Sequence, residues 1–556
     1  MCGIACVLCC ENSTERTSST IDNIVKESLK RRGPDCSDER SISFDTWKGS
    51  FYGTVLHTQG SDLTPQPVYS SESLFLWNGD VFDGSLITDN VLHHQSDTSI
   101  LNRWLENNSG DVLKMIKMLQ GPYSFIYFDM KRRLLWISRD ALGRHSLLWD
   151  IDDISLLICS VGHKGMNTLL EVPAAGVFCF EFGNDSITNI SLYPWSHFDK
   201  ISCDLPSTVV ISDTKLDYFD FTPKWIEFKT YDFFNAECSE NSSHTMDNLL
   251  DNPVVLELVD KLIDLLTNSV QKRVTVRRSV CRNCSPDQCS DDHAKVGVLF
   301  SGGIDSTILA YLANKFVPQE EPIDLMNVAF DQKGSFNVPD RKTGLLSLDE
   351  IRSLCPNRRW NFVEINISRL ELAEKQQTHI THLIHPLKTI LDESLGSALW
   401  FACRAEGHID NVPYTSSSKI ILLGNGADEQ LGGYTRHRNL LKRTGWNDLG
   451  IQLIKETIEI SKRNLGRDDR IASDHGRQPR FPFLDENVVS FLADLAPWQK
   501  CNPVSFPPGT RDKLLLRLVA VKLGLRQCAS FPKRAFQFGC RIANSKEKGD
   551  SCSERL

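Results

Sequence analysis

The stretch KVGVLFSGGIDSTILAYLANKF, from Lys295, constrains the fold more than any other part of the chain. A short apolar run ends in a paired glycine, and an apolar-faced helical pattern follows at once. Strand, glycine turn and helix in that order open an α/β domain. Three more apolar strands read the same way: DLMNVAF from Asp324, NFVEINI from Asn361 and KIILLGNG from Lys419, each separated by helical or inserted material. A doubly wound parallel sheet is the economical arrangement. The preceding helix starts at Pro253 after Asn252, with Val255, Leu258, Val259, Leu262, Ile263 and Leu266 recurring at helical spacing.

The glycine turn is a candidate anion cradle. Gly302 and Gly303 free the backbone to approach phosphate oxygens, the helix beginning near Asp305 aims its amides and dipole at the anion, and Ser301 and Ser306 carry hydroxyls. No Walker lysine is present, so the turn suits pyrophosphate held as a leaving group rather than γ-phosphate transfer. The plain alternative is a capped strand-to-helix turn. A second strand end opens into LLGNGADEQLGGY from Leu422, with the carboxylates Asp428 and Glu429. In a doubly wound sheet both turns lie at carboxyl ends of strands, which lets Asp305 and Asp428 share one magnesium ion; an acidic helix N-terminus is the bland alternative.

The first half alternates apolar and polar residues in short strands: CGIACVLC at the start, FYGTVLHT from Phe51, LFLWNGD from Leu74, PYSFIYFD from Pro122 and RLLWISRD from Arg133. A layered β-rich domain is expected over residues 2–195, an irregular linker over 196–250, the α/β domain over 251–545 and a tail over 546–556. With 71 acidic against 62 basic residues and no basic block, the chain lacks the footprint of a nucleic-acid binder. The opening MCGIACVLCC has no basic n-region, and no apolar run reaches the roughly 20 residues that span a bilayer. Scattered thiols, 18 in all, fit a reduced cytoplasmic protein, and no membrane partner is expected.

SGGIDS, GNGADEQLGGY, GRDDRIASDHGRQPRFPFLDENVV from Gly466 and KLLLR from Lys513 resemble the synthetase domain of the glutamine-dependent asparagine synthetases. MCGIACV, RRGPD from Arg31, WNGD from Trp77, Ser96-Asp97 and RDALGR from Arg139 resemble that family's class II amidotransferase domain. The resemblance implies an N-terminal-nucleophile amidotransferase sandwich followed by a doubly wound ATP pyrophosphatase domain. It implies glutamine, ATP, magnesium and aspartate or another acid as small-molecule partners, with ammonia passing between domains.

On this resemblance, loss of Met1 leaves Cys2 as the nucleophile, with its own α-amine as base. The Asn78 side chain and the Gly79 amide would form the oxyanion hole, while Arg32, Asp80 and Asp97 would serve the glutamine site. Lys513 would stabilise charge in adenylation, and Phe300, Val328, Leu423 and Gly424 would meet the nucleotide through backbone. Two positions depart from the family pattern: Gln59 stands where an arginine pairs with the glutamine carboxylate, and Asn425 where a glutamate precedes the second acidic turn. An amide gives up the charge-assisted bidentate contact, and Asn425 cannot take a proton. Those departures leave open a catalytically reduced scaffold and an amidotransferase for a different carboxylic acid. Outside the family pattern, Cys281, Cys284, Cys289 and His293 have C-x2-C-x4-C-x3-H spacing, which can close around zinc; a short cysteine-rich insertion needs no metal, and zinc is not expected.

Overall fold

A computed structural model describes residues 2–11, 20–86, 95–198, 205–227, 246–284, 288–504, 511–543 and 549–556. The strand Gly3–Cys10 lies inside a six-stranded sheet, paired antiparallel with Trp47–Val55 on one side and Ser155–Cys159 on the other. Its alternation sorts the side chains by face. Ile4, Cys6 and Leu8 enter a core with Phe51, Leu76, Phe128, Phe178 and Phe180. Ala5 and Val7 join Val25 and Leu29 of the helix Asn23–Arg32 in a second apolar cluster.

The opposing sheet has seven strands and includes Ser73–Gly79 and Tyr123–Asp129. Its other face carries Phe75, Trp77 and Phe125, which share a cluster with Leu101 and Leu105 of the helix Asp97–Asn107. Helix, sheet, sheet and helix therefore stack as the expected sandwich. Asp22 caps the helix Asn23–Arg32 by accepting from the Ile24 amide at 2.6 Å, and the basic run Lys30, Arg31, Arg32 ends it, favourably placed against the helix dipole.

Described parts of the 196–250 stretch, expected to be irregular, are packed. Val209–Ile211 extends the seven-stranded sheet in parallel with Ile187–Pro194. Phe219, Phe221 and Trp225 are buried, and a Cβ on Gly450 would lie 2.6 Å from the Trp225 ring. Aromatic area supplies the ordering that the sequence period does not reveal.

In the second half a seven-stranded sheet places Trp360–Ile367, Ile323–Phe330, Val296–Leu299, Ile420–Leu422 and Gln478–Arg480 side by side and parallel. The antiparallel hairpin Glu406–Ile409 and Val412–Thr415 caps one edge. The chain winds outward from Val296–Leu299 in one direction and then returns to wind in the other. Its switch point falls between Val296–Leu299 and Ile420–Leu422, where an open α/β sheet leaves a crevice beyond its strand ends. The helix Pro253–Thr275 buries Val255, Val259, Leu262 and Leu266, with Leu258 and Ile263 on its flanks. Among the described residues no helix is long and apolar enough to cross a membrane.

Candidate active sites

Both glycine turns open at that switch point. Gly302 sits at φ +73°, and a Cβ there would lie 2.4 Å from the Gly344 nitrogen. The helix Pro339–Leu354 makes that close approach and grips the turn, with Thr343 Oγ1 donating to Ser301 O at 2.9 Å and Ser347 Oγ to Gly302 O at 2.8 Å. Gly303 caps the helix Ile304–Asn314 with no side chain on its first-turn amides, the arrangement in which orphan N–H groups face an anion. Ser301 Oγ accepts from the Gly303 amide at 3.3 Å, and Ser306 Oγ donates back to Gly303 O at 3.0 Å. Ser306 thus first serves the turn itself. Backbone bonds fix the neighbouring strand ends: Phe300 donates to Met326 O at 2.9 Å and Leu423 to Arg480 O at 3.0 Å. Val328 is paired with Ile365.

Gly424 brings the second turn against the first, since a Cβ there would stand 3.1 Å from the Asp305 Cβ. The carboxylates meet at Lys513. Its Nζ lies 2.6 Å from Asp305 Oδ2 and 2.9 Å from Asp428 Oδ1, and Lys533 pairs with the other oxygen of Asp428. Burial alone would lower the Lys513 pKa, but the two carboxylates outweigh it and hold the ammonium above its ordinary value. Burial likewise pushes Asp428 up, and the two lysines reverse that and hold it well below the carboxylate range. Lys513 adopts a left-handed backbone, φ +54°, at the start of Leu514–Lys522. Strain of that kind in a residue other than glycine gathers at sites where a side chain must be aimed. Two hard carboxylates converging on one cation are also a donor set suited to Mg2+.

In the first half, Cys2 is buried at the start of its strand, and its backbone amide donates to Asn78 Oδ1 at 2.8 Å. Burial pushes the Cys2 thiol up. Asn78 Nδ2 reaches Ser124 Oγ at 3.4 Å. Gly79 ends the strand Ser73–Gly79, where any side chain would meet Pro122 O at 2.7 Å. Asp97 accepts from Trp77 Nε1 at 3.0 Å and from the Thr98 amide at 2.7 Å, and burial followed by the nearby Asp80 charge pushes it up to about 7.

Asp80 and Arg32 have partners that sequence reasoning missed. Asp80 accepts from Gln59 and Gln478, and Arg480 lies 3.3 Å away. Gln478 and Arg480 come from the second domain, so Asp80 serves the domain junction as well as the pocket holding Asp97. Arg32 Nε reaches Cys2 O at 3.5 Å, and its Nη2 pairs with Asp469 of the second domain at 2.9 Å. Arg32 Nη1 is buried without a hydrogen-bond partner among the described residues. Nearby, Arg144 bridges Asp140 and Glu486 at 2.9 and 2.6 Å. Motifs marked these arginines, and Asp140 lies in the same motif as Arg144, but nothing local in sequence pairs Arg32 with Asp469 or Arg144 with Glu486.

Asn425, the second departure, donates from Nδ2 to Asp468 Oδ2 at 2.7 Å, and Arg467 pairs with Asp468 and Asp392. Asp468 lies within the motif from Gly466 but was not singled out. The four residues Cys281, Cys284, Cys289 and His293 are brought together, their ligand atoms all within 4.8 Å of one another.

Comparison with known proteins adds family information to this geometry. The family profile for asparagine synthase matches residues 278–459, and that for a glutamine amidotransferase domain matches residues 1–176. Asparagine synthetase domain-containing protein 1 of Bos taurus is 38% identical over 100% of this chain and 98% of its own length. An asparagine synthetase domain-containing protein of Drosophila melanogaster is 40% identical over the full length of both chains. A glutamine-hydrolysing asparagine synthetase of Gallus gallus is 22% identical over 87% of this chain and 75% of its own.

Proposed function

Since the chain belongs to the family of asparagine synthetase domain-containing proteins, we propose that it converts aspartate to asparagine at the expense of ATP, with glutamine as nitrogen donor. The observation that carries this reading is Lys513 held between Asp305 and Asp428 beside the Gly302 turn. Asp305 and Asp428 would hold magnesium, which supplies positive charge to the ATP phosphates. The first-turn amides of Ile304–Asn314 bind and orient the pyrophosphate portion, and Lys513 offsets charge as it leaves.

The chemistry balances in three steps. The Cys2 thiol passes its proton to its own α-amine as the sulfur attacks the glutamine side-chain amide, that proton goes to the leaving nitrogen so that ammonia departs, and water frees glutamate from the acyl-enzyme. The aspartate side-chain carboxylate attacks the α-phosphate of ATP, giving aspartyl adenylate and pyrophosphate. Ammonia then attacks the acyl carbon, AMP leaves, and a proton is lost to give asparagine. A water-excluded route between the sites would keep ammonia from protonation.

The test supplies purified protein lacking Met1 with ATP, magnesium and aspartate, first with ammonium and then with glutamine. Asparagine, AMP and pyrophosphate in equal amounts are expected, with Asp305→Ala abolishing all three. Cys2→Ala should abolish only the glutamine-driven reaction. A folded, ATP-binding protein that makes none of these products defeats the reading. Amidation of a different acid is a second reading, favoured by the Asn425 to Asp468 hydrogen bond where the family has a glutamate; the same assay run with other carboxylic acids separates the two.

A further inference from the structure

The connection between the helix Pro253–Thr275 and the strand Val296–Leu299 contains three thiols and one imidazole within a span of thirteen residues, Cys281 to His293. We propose that Cys281, Cys284, Cys289 and His293 bind one zinc ion, as a closed structural site that fixes this connection against the amidotransferase domain. His293 Nδ1 lies 3.5 Å from Cys281 Sγ and 3.3 Å from Cys284 Sγ, and all four ligand atoms fall within 4.8 Å of one another. Tetrahedral zinc with Zn–S of about 2.3 Å and Zn–N of about 2.0–2.1 Å requires sulfur and nitrogen about 3.6 Å apart, and sulfurs about 3.8 Å apart.

Hydrogen bonding alone is a poor account of this convergence. Nδ1 of a neutral imidazole has either one proton or one lone pair to offer, yet two sulfurs approach it. Cys281, Cys284 and Cys289 are all free thiols. The Cys281 amide donates to Cys289 Sγ at 3.2 Å, an N–H to sulfur bond that favours a thiolate and orients a metal ligand. Cys281 is buried and the other three are half-buried, so an ion here would be anchored to the protein interior on the Cys281 side. Four protein ligands leave no open position, which distinguishes a structural from a catalytic zinc site.

The same connection bears contacts that the site would hold in register. The Arg277 guanidinium pairs with Glu321 at 2.6 Å, and Arg282 N donates to Ser417 O at 2.8 Å, both within the second domain. Arg278 N donates to Thr58 O at 2.9 Å, and Arg278 Nη1 lies 2.9 Å from His57 Nδ1 across the domain junction. Thr58 precedes Gln59, which donates to Asp80. Zinc would thereby tie the second domain to the rim of the glutamine pocket.

The test measures metal in the full-length chain, purified without chelators under reducing conditions, by mass spectrometry and by zinc-edge X-ray absorption. One zinc per chain with three sulfurs and one nitrogen in its shell is expected. Cys284→Ser and His293→Ala should each lower zinc content about tenfold or more, while Cys355→Ser, a thiol outside the cluster, should leave it unchanged. The wild-type shell decides the matter even where a variant does not fold. A folded wild-type chain that takes up no zinc from micromolar free metal, a shell with other than three sulfurs and one nitrogen, or a disulfide among Cys281, Cys284 and Cys289 would each overturn the proposal.

Discussion

Arg32 and Asp469 form a salt bridge of 2.9 Å whose side chains are 1% and 0% exposed, one from each domain. The same guanidinium reaches the carbonyl of Cys2, while Asp469 also accepts from the Ser146 amide at 3.0 Å and contacts His145 Nδ1 at 3.0 Å. A single carboxylate of the second domain is therefore linked through one guanidinium to the backbone of the candidate nucleophile. The amidotransferase pocket and the helix Gly466–Ser473 are parts of one polar network rather than neighbours across a wet cleft.

Breaking that pair leaves a buried charge uncompensated, so Arg32→Ala and Asp469→Asn should each destabilise the protein by about 3–5 kcal/mol. Burial pushes Asp469 up, but Arg32 and His145 outweigh it and hold the carboxylate well below its usual range. A depressed carboxylate contributes stability that is complete above its unfolded value of about 4 and is lost as pH falls below it. Denaturant titrations from pH 7 to pH 3 should show the wild type losing stability at the acid end faster than Asp469→Asn. Equal slopes would show that Asp469 is not linked to folding.

The glycine turns, the parallel strands and the apolar face of Pro253–Thr275 were legible because each is a local pattern, a few residues long, whose period or dihedral demand is carried by the residues themselves. Partners such as Gln478 and Arg480 for Asp80, or Asp469 for Arg32, were not. Hundreds of residues separate them, and only sheet order brings the strand Gln478–Arg480 to the junction. The packed stretch ending in Trp225 was missed for a different reason. It buries isolated aromatics and adds one short, partly exposed strand to the sheet edge, neither of which produces a sustained period. The convergence of Lys513 on both carboxylates was half legible: each motif was visible, but their meeting depends on the switch point.

Gly302→Ala should separate backbone strain from crowding. Its φ of +73° and that of Gly334 at +83° carry a similar conformational cost, about 1–2 kcal/mol. A Cβ at Gly334 meets nothing within 4 Å, whereas at Gly302 it would strike the backbone of Thr343 and Gly344. Gly302→Ala is expected to lower the melting temperature more than Gly334→Ala and to weaken ATP binding as well, read by thermal denaturation and calorimetry. Equal shifts in both variants would remove the crowding argument.

Lys513→Met should cut ammonium-driven synthesis by about 100- to 1000-fold while leaving glutamine hydrolysis in place, because it removes a cation that contacts both Asp305 and Asp428. Parallel assays of pyrophosphate release and glutamate formation measure the two halves. Unchanged pyrophosphate release would exclude Lys513 from the adenylation chemistry.

Asn425→Glu, which installs the residue expected from the resemblance to the glutamine-dependent asparagine synthetases, should destabilise this protein rather than improve it. The Asn425 amide donates to Asp468 at 2.7 Å, and a carboxylate there would face another carboxylate. Losing that bond against a charge costs about 1–3 kcal/mol. The two acids would raise one another's pKa, so the penalty should shrink as pH falls and one of them gains a proton. Melting curves at pH 8 and pH 5 test this, and a penalty that grows toward acid would contradict the pairing.

Asp97 should set the pH dependence of the glutamine reaction. Its carboxyl is pushed up to about 7 by burial and then by Asp80, so near neutrality it passes from a neutral acid to an anion able to hold an ammonium group. The kcat/KM for glutamine should rise through about pH 7, because that parameter follows ionisation in the free enzyme. Stability runs the other way: a carboxyl raised on folding stabilises the protein fully below its unfolded value and loses that contribution as pH rises through the folded one. Ammonium-driven synthesis at constant free ammonia does not use Asp97 and should lack the step. If glutamine and ammonia gave the same pH profile, the step would belong to the synthetase half, and Asp97 would have no part in holding the glutamine amine.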